Sequence, residues 1–133
     1  MKSPAAVPTS FSLWAPVLLY AALIWFLSAH SFSFTWFQNT QKSHADKLVH
    51  VVEYSIFGAL LCRALGAQSF LKYSPVRLLL AVVLAGALYG ASDEFHQRFV
   101  PNRDASPYDV LADTVGAALG GWVWSKKVNA KNA

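Results

Sequence analysis

The sequence predicts an all-α protein, a four-helix transmembrane bundle with both termini on the cytoplasmic side. Three observations lead there. Hydrophobic residues make up 55% of the chain and charged residues only 14%, against roughly 45–50% and 25% in soluble domains. The apolar residues gather into four segments, each near the length a spanning helix needs. The basic residues divide unevenly between the two sets of connections. At 133 residues there is room for one domain, so residues 1–133 are read as a single unit.

The helices are placed at about 11–28, 46–65, 77–97 and 107–125. The first carries no charge from Phe11 to Leu27. A cleaved signal peptide is the competing reading, but only Lys2 precedes the core, Trp14 and Pro16 interrupt it, and no A-x-A pattern follows Leu27. A retained helix is therefore expected. The second segment covers Leu48 to Leu65. The third, Leu78 to Ser92, is short unless the helix continues into its polar flanks, and helical spacing of the residues there says that it does. Its LLLAVVLAGALYGA stretch has no polar face, which argues against a soluble bundle. The fourth begins at Pro107, where proline suits a first helical turn.

Charge sets the orientation. With both termini and the Arg63–Arg77 connection on one side, that side holds Lys2, Arg63, Lys72, Arg77, Lys126, Lys127 and Lys131 and no acid. The other side holds Lys42, Lys47, Arg98 and Arg103 together with all seven carboxylates. Basic residues favour the cytoplasm, so both termini are expected inside. Some functions drop out. The net charge of +4 comes from scattered basic residues with no aromatic interleave, so no nucleic-acid partner is expected. The single Cys62 allows no internal disulfide and no cysteine metal site; it reads as lipid- or helix-facing packing.

Function is sought in the two acidic stretches, which this topology brings to one membrane face. The first is DKLVHVVEYSIFG. Asp46, His50 and Glu53 recur at i, i+4 and i+7 and share a helix face, with Tyr54 beside it. Glu53 lies about 10 Å deeper than Asp46. A carboxylate facing lipid there costs about 2.5–3.5 kcal/mol, so Glu53 should face the bundle and have a partner. The second stretch runs from Ala91 to Gly121. Asp93 and Gln97 are one turn apart at the end of the third helix, and His96 lies on nearly the same face. Pro101 stops that helix. Asp109 and Asp113 project from one face of the fourth helix, with Gly116 and Gly120 following on it. GALYG at Gly86 to Gly90 and GAALG at Gly116 to Gly120 are small-xxx-small patterns for close helix packing.

Together, DKLVHVVEYSIFGALL and DEFHQRFVPNRDASPYDVLADTVGAALG resemble the VanZ-like family of small bacterial membrane proteins. Its pattern has D-K-x-x-H-x-x-x-Y at the start of one helix. Later come D-E-x-H-Q-x-F-x-P-x-R-x-x-x-x-x-D and a helix with N-x-x-G. The resemblance covers roughly residues 11–124. It makes Asp46, Lys47, His50, Tyr54, Asp93, Glu94, His96, Gln97, Phe99, Pro101, Arg103, Asp109 and Gly116 motif positions. Asp113 stands where the pattern usually has asparagine, adding a negative charge. The resemblance implies a four-helix, multi-pass protein of the bacterial cytoplasmic (inner) membrane, linked to the cell envelope, since the founding member is associated with teicoplanin resistance. It brings no reaction with it.

Plainer readings exist for single residues. His50 reads equally as an interhelical hydrogen-bond donor. Asp93 and Glu94, the latter especially, read as interfacial residues solvated at a helix end. Arg103 reads as a partner of Asp104 or Asp109. Trp14, Trp25, Trp36, Trp122 and Trp124 read as interfacial or core aromatics. The combination points further, because ionisable groups inside a membrane mark functional sites. Glu53, Asp109 and Asp113 at close range need a shared proton or a bound cation, since His50 and Arg103 bring at most two positive charges.

Three functions fit. The first is binding or modulation of a lipid-linked envelope component at the outer face, or of glycopeptide antibiotic susceptibility. The second is a membrane-embedded hydrolase or transferase of a lipid phosphate, with the carboxylates holding a divalent cation and Lys47 and Arg103 contacting phosphate. No fixed-spacing ligand set or nucleophile–base motif supports it. The third is a small proton-linked transporter, for which four helices suffice only in an oligomer. The partners expected are the bilayer and such an envelope component.

Overall fold

The computed structural model describes residues 9–30, 44–68, 71, 74–103 and 105–132, with side chains from 46 onward in the second helix and up to 127 in the last. Lys2, Trp36, Lys42, Lys72 and Asp104, and the side chains of His44 and Lys131, lie outside it. The described residues form four α-helices and no strand: α1 (Ser10–Ser28), α2 (His44–Leu65), α3 (Pro75–Gln97) and α4 (Pro107–Asn132). Three of them, Ser10–Ser28, Asp46–Leu65 and Pro75–Gln97, are long and apolar enough to cross a membrane. The last helix is longer but more polar, because Asp109, Asp113, Lys126 and Lys127 sit on it.

Local chemistry starts and stops these helices. Thr9 caps α1, its Oγ1 accepting from the Ser12 N–H at 3.2 Å. Pro16 lies inside α1 and has no N–H to give the Ser12 carbonyl one turn back. Arg63 of α2 fills that role, donating from Nη2 to the Ser12 oxygen at 3.3 Å. α3 begins at Pro75, earlier than residue 77, because Ser74 caps it and Pro75 occupies the first turn. Ser106 and Pro107 repeat that arrangement at α4, where the Ser106 Oγ accepts from the Tyr108 N–H at 3.2 Å. Between α3 and α4 the chain turns through Asn102, whose φ of 62° is left-handed, a conformation asparagine tolerates.

Successive helices run antiparallel, so α2 and α4 are parallel to each other. These two form the closest pair, and small residues explain why. A side chain at Gly116 would overlap the Val51 carbonyl oxygen, one at Gly120 the Ser55 carbonyl, and one at Gly58 the Ala117 carbonyl. Gly86 of α3 packs on Ala117, and Gly90 packs on Asp113. The two glycine pairs thus sit where α3 and α2 approach α4; Gly58 completes the seam without belonging to either pair. The apolar core lies in the other half of the bundle, around Ile24, Tyr54, Phe57, Leu61, Cys62 and Val82. Cys62 therefore faces helices. Leu18, Leu19, Leu48, Val52, Leu80, Leu84 and Leu88 remain exposed along the flanks, as a bundle standing in lipid requires.

A buried polar cluster at one end of the bundle

The C-terminal ends of α1 and α3 and the N-terminal ends of α2 and α4 meet at one end. Both acidic stretches are there. Along the parallel α2–α4 seam the pairs come in register. Lys47 binds the Asp109 carboxylate in a salt bridge and lies 3.8 Å from Asp46. One turn deeper, His50 Nδ1 and Asp113 Oδ1 share a hydrogen bond of 2.8 Å. Val51 and Tyr54 then meet Gly116, and Ser55 meets Gly120. The glycines bring the two backbones close enough for these short side chains to reach across.

α3 adds a second layer. Gln97 Nε2 donates to Asp93 Oδ2 at 3.0 Å. Glu94 Oε2 accepts from the Ser106 N–H at 2.8 Å, tying the end of α3 to the start of α4. Asp93 is 2% exposed, Glu94 5% and Asp113 0%. The reading of Asp93 and Glu94 as solvated helix-end residues is thus corrected. The turn after α3 folds back over them, and the open N–H at the start of α4 draws Glu94 inward. Arg103 does not pair with Asp109 among the described residues, and a pairing with Asp104 lies outside them. The Arg103 Nη2 donates to the Leu27 carbonyl at 3.2 Å, in the last turn of α1, an oxygen that also accepts from the His30 N–H at 3.4 Å. Asp109 meanwhile takes Lys47.

Glu53 departs furthest from expectation. It is half-buried and makes no hydrogen bond or ion pair among the described residues. It stays within electrostatic reach of His50, Asp93, Asp113 and Arg103. At about 100° per residue it is turned some 60° around α2 from His50, out of the α2–α4 seam. There it lines an open apolar groove of about 420 Å³ with Tyr20, Leu48, Val49, Val52 and Ile56.

α1 contributes more than its uncharged sequence suggests. Trp25 stacks on His96, with ring centroids 4.2 Å apart and planes 19° from parallel. Ser28 lies beside Asp93, and the Tyr89 hydroxyl donates to the Ala21 carbonyl at 2.6 Å. Backbone carbonyls carry much of this role, and they leave no trace in residue types. Trp122 and Trp124 sit at the opposite end under Lys126 and Lys127, and Trp14 packs on the core.

Several buried polar atoms have no hydrogen-bond partner among the described residues: Tyr54 Oη, Asp93 Oδ1, Glu94 Oε1, Asp113 Oδ2 and Arg103 Nε among them. Buried groups of this kind are normally satisfied by protein, water or an ion. Two sets of side chains have ligating atoms within 4.8 Å of one another: Asp46, His50 and Asp109; and His50, Glu94 and Asp113.

Apolar spans surrounding a buried cluster of ionisable groups define a small helical membrane protein with a polar site at one end of its bundle. No curated protein and no solved structure matches the chain. The VanZ/LLP1 family model matches residues 3–128, and the chain belongs to that family.

Proposed function

We propose that this is a multi-pass protein of the bacterial cytoplasmic membrane that binds a lipid-linked envelope component at its outer face. In this reading residues 1–133 form one unit. All four helices cross the bilayer, both termini are cytoplasmic, and the cluster faces outward. The fourth helix spans with its carboxylates turned into the bundle, where Asp109 and Asp113 are buried against α2. The seven-to-four division of basic residues supports the orientation.

The observation that carries the binding reading is Glu53. Its carboxylate joins the charged cluster to the open groove of Tyr20, Leu48, Val49, Val52 and Ile56, which in this reading faces lipid. An amphiphile fits such a place. Its chain lies along the apolar wall, and a head rich in hydroxyl or amide groups meets the carboxyl oxygens of Glu53. Holding such a component at the outer face alters the access of a glycopeptide antibiotic to it, which connects this reading to antibiotic susceptibility. Transfer or hydrolysis at a lipid phosphate is less well supported, because Lys47 is engaged by Asp109 and Arg103 by the Leu27 carbonyl.

Native mass spectrometry of the full chain, purified from bacterial membranes in mild detergent, tests the proposal. A polyprenyl-linked lipid should be retained by the wild type and reduced at least tenfold in Glu53→Ala and in Ile56→Trp, which fills the groove. Equal retention in all three proteins, or retention of bulk phospholipid only, contradicts it.

A further inference from the structure

We infer that His50, Glu94 and Asp113 form a site for one first-row transition-metal dication inside the bundle. This goes beyond the lipid-binding proposal and does not depend on it. Three helices each supply one ligand: α2 gives His50, α3 gives Glu94 and α4 gives Asp113. Their ligating atoms lie within 4.8 Å of one another, close enough for a cation bonded at about 2.0–2.2 Å to draw them together.

Two carboxylate oxygens point to the occupant. Glu94 is 5% exposed and Asp113 0%. Each uses one oxygen within the protein, Oε2 toward the Ser106 N–H and Oδ1 toward His50. The other oxygens, Glu94 Oε1 and Asp113 Oδ2, are buried without a hydrogen-bond partner among the described residues. Acceptor atoms left over in this way call for a donor or a cation. Gly90 opposite leaves room, since a Cβ there would lie 2.7 Å from Asp113 Oδ2.

The other set, Asp46, His50 and Asp109, is the weaker candidate. Lys47 already lies on Asp109 and beside Asp46, and a dication would have to displace it. In the deeper set no Lys or Arg lies on Asp113 or Glu94 among the described residues, and a dication would take the place of the single proton that His50 shares with Asp113. The ligand type narrows the metal. One imidazole with two carboxylates suits Mn²⁺, Fe²⁺ or Zn²⁺, whereas Ca²⁺ and Mg²⁺ favour oxygen alone.

The test uses the full chain in detergent after chelator treatment and buffer exchange. Mn²⁺ is titrated while the electron paramagnetic resonance signal of free Mn²⁺ is followed. Bound metal is then examined for ¹⁴N coupling, and Zn²⁺ is used to compete. One equivalent of Mn²⁺ should bind, with nitrogen coupling that is lost in His50→Gln. Affinity should fall at least tenfold in Glu94→Gln and in Asp113→Asn and stay near the wild type in Asp46→Asn. The wild type alone provides a second readout, because its Tm should rise with Mn²⁺ or Zn²⁺ and not with equal Mg²⁺. Absence of both stoichiometric binding and a Tm rise in the wild type overturns the inference. Unchanged affinity in Glu94→Gln with loss in Asp46→Asn overturns it too, by assigning the metal to the other set.

Discussion

His50 and Asp113 meet across the α2–α4 seam, Nδ1 to Oδ1 at 2.8 Å, with the aspartate fully buried. A buried ion pair contributes little net stability, but removing one member is costly, since the other is left uncompensated. His50→Ala should therefore destabilise the protein by about 3–5 kcal/mol. Asp113→Asn, which restores the residue usual in the family pattern, keeps an oxygen for the His50 N–H and should cost about 1 kcal/mol. Denaturant titration in detergent micelles measures both. Equal losses would mean that the pair is not a matched donor and acceptor.

The glycine seam gives an ordering of effects. A Cβ on Gly120 meets the Ser55 backbone, which cannot move without shifting α2. A Cβ on the adjacent Gly121 meets only side-chain atoms, with Val82 Cγ1 nearest at 2.9 Å. Gly120→Ala should cost at least the 1–3 kcal/mol typical of overpacking, roughly, and Gly121→Ala clearly less. Thermal unfolding of the two variants, compared side by side, checks this order.

Pro16 and Arg63 are coupled through the Ser12 carbonyl, which lacks an intrahelical donor and accepts from Arg63 at 3.3 Å. Pro16→Ala supplies the missing N–H. Arg63→Gln should then cost less in the Pro16→Ala background than alone, with a coupling energy of about 0.5–1.5 kcal/mol. A double-mutant cycle reads that difference, and a coupling near zero would show that Arg63 only neighbours the break.

The parts of this structure legible in sequence were those with a period. Continuous apolar runs located α1 to α3, and spacing of i, i+4 placed Asp109 and Asp113 on one face of α4. Small-xxx-small pairs sit at Gly86, Gly90, Gly116 and Gly120, which the structure places in the helix contacts. Pairings were harder to read. Of the two acids open to Arg103, Asp104 lies outside the described residues and Asp109 takes Lys47; Arg103 binds a backbone carbonyl, and carbonyls exist at every residue. Glu94 is buried by a turn whose path depends on the left-handed Asn102. Glu53 shares the face of Asp46, yet the rotation from His50 carries it to the groove.

Topology is checked independently. Reporter fusions after Ala133 should be active only in the cytoplasm, and a fusion near Asn102 only outside it, as the excess of basic residues at the first of these ends directs. The reverse pattern would place the cluster on the cytoplasmic face and remove the envelope component from its reach.

The central claim is that the groove beside Glu53 holds a lipid-linked envelope component. Photo-crosslinking in living cells tests it most directly. A benzophenone amino acid is placed at Val52, on the groove, or at Leu84, on α3 and equally exposed at 62%. The cells are fed a radiolabelled envelope-sugar precursor. The account predicts labelled adducts at Val52, at least tenfold above those at Leu84, that disappear with Glu53→Ala. Equal labelling at the two positions, or adducts of ordinary phospholipid alone at Val52, would contradict it.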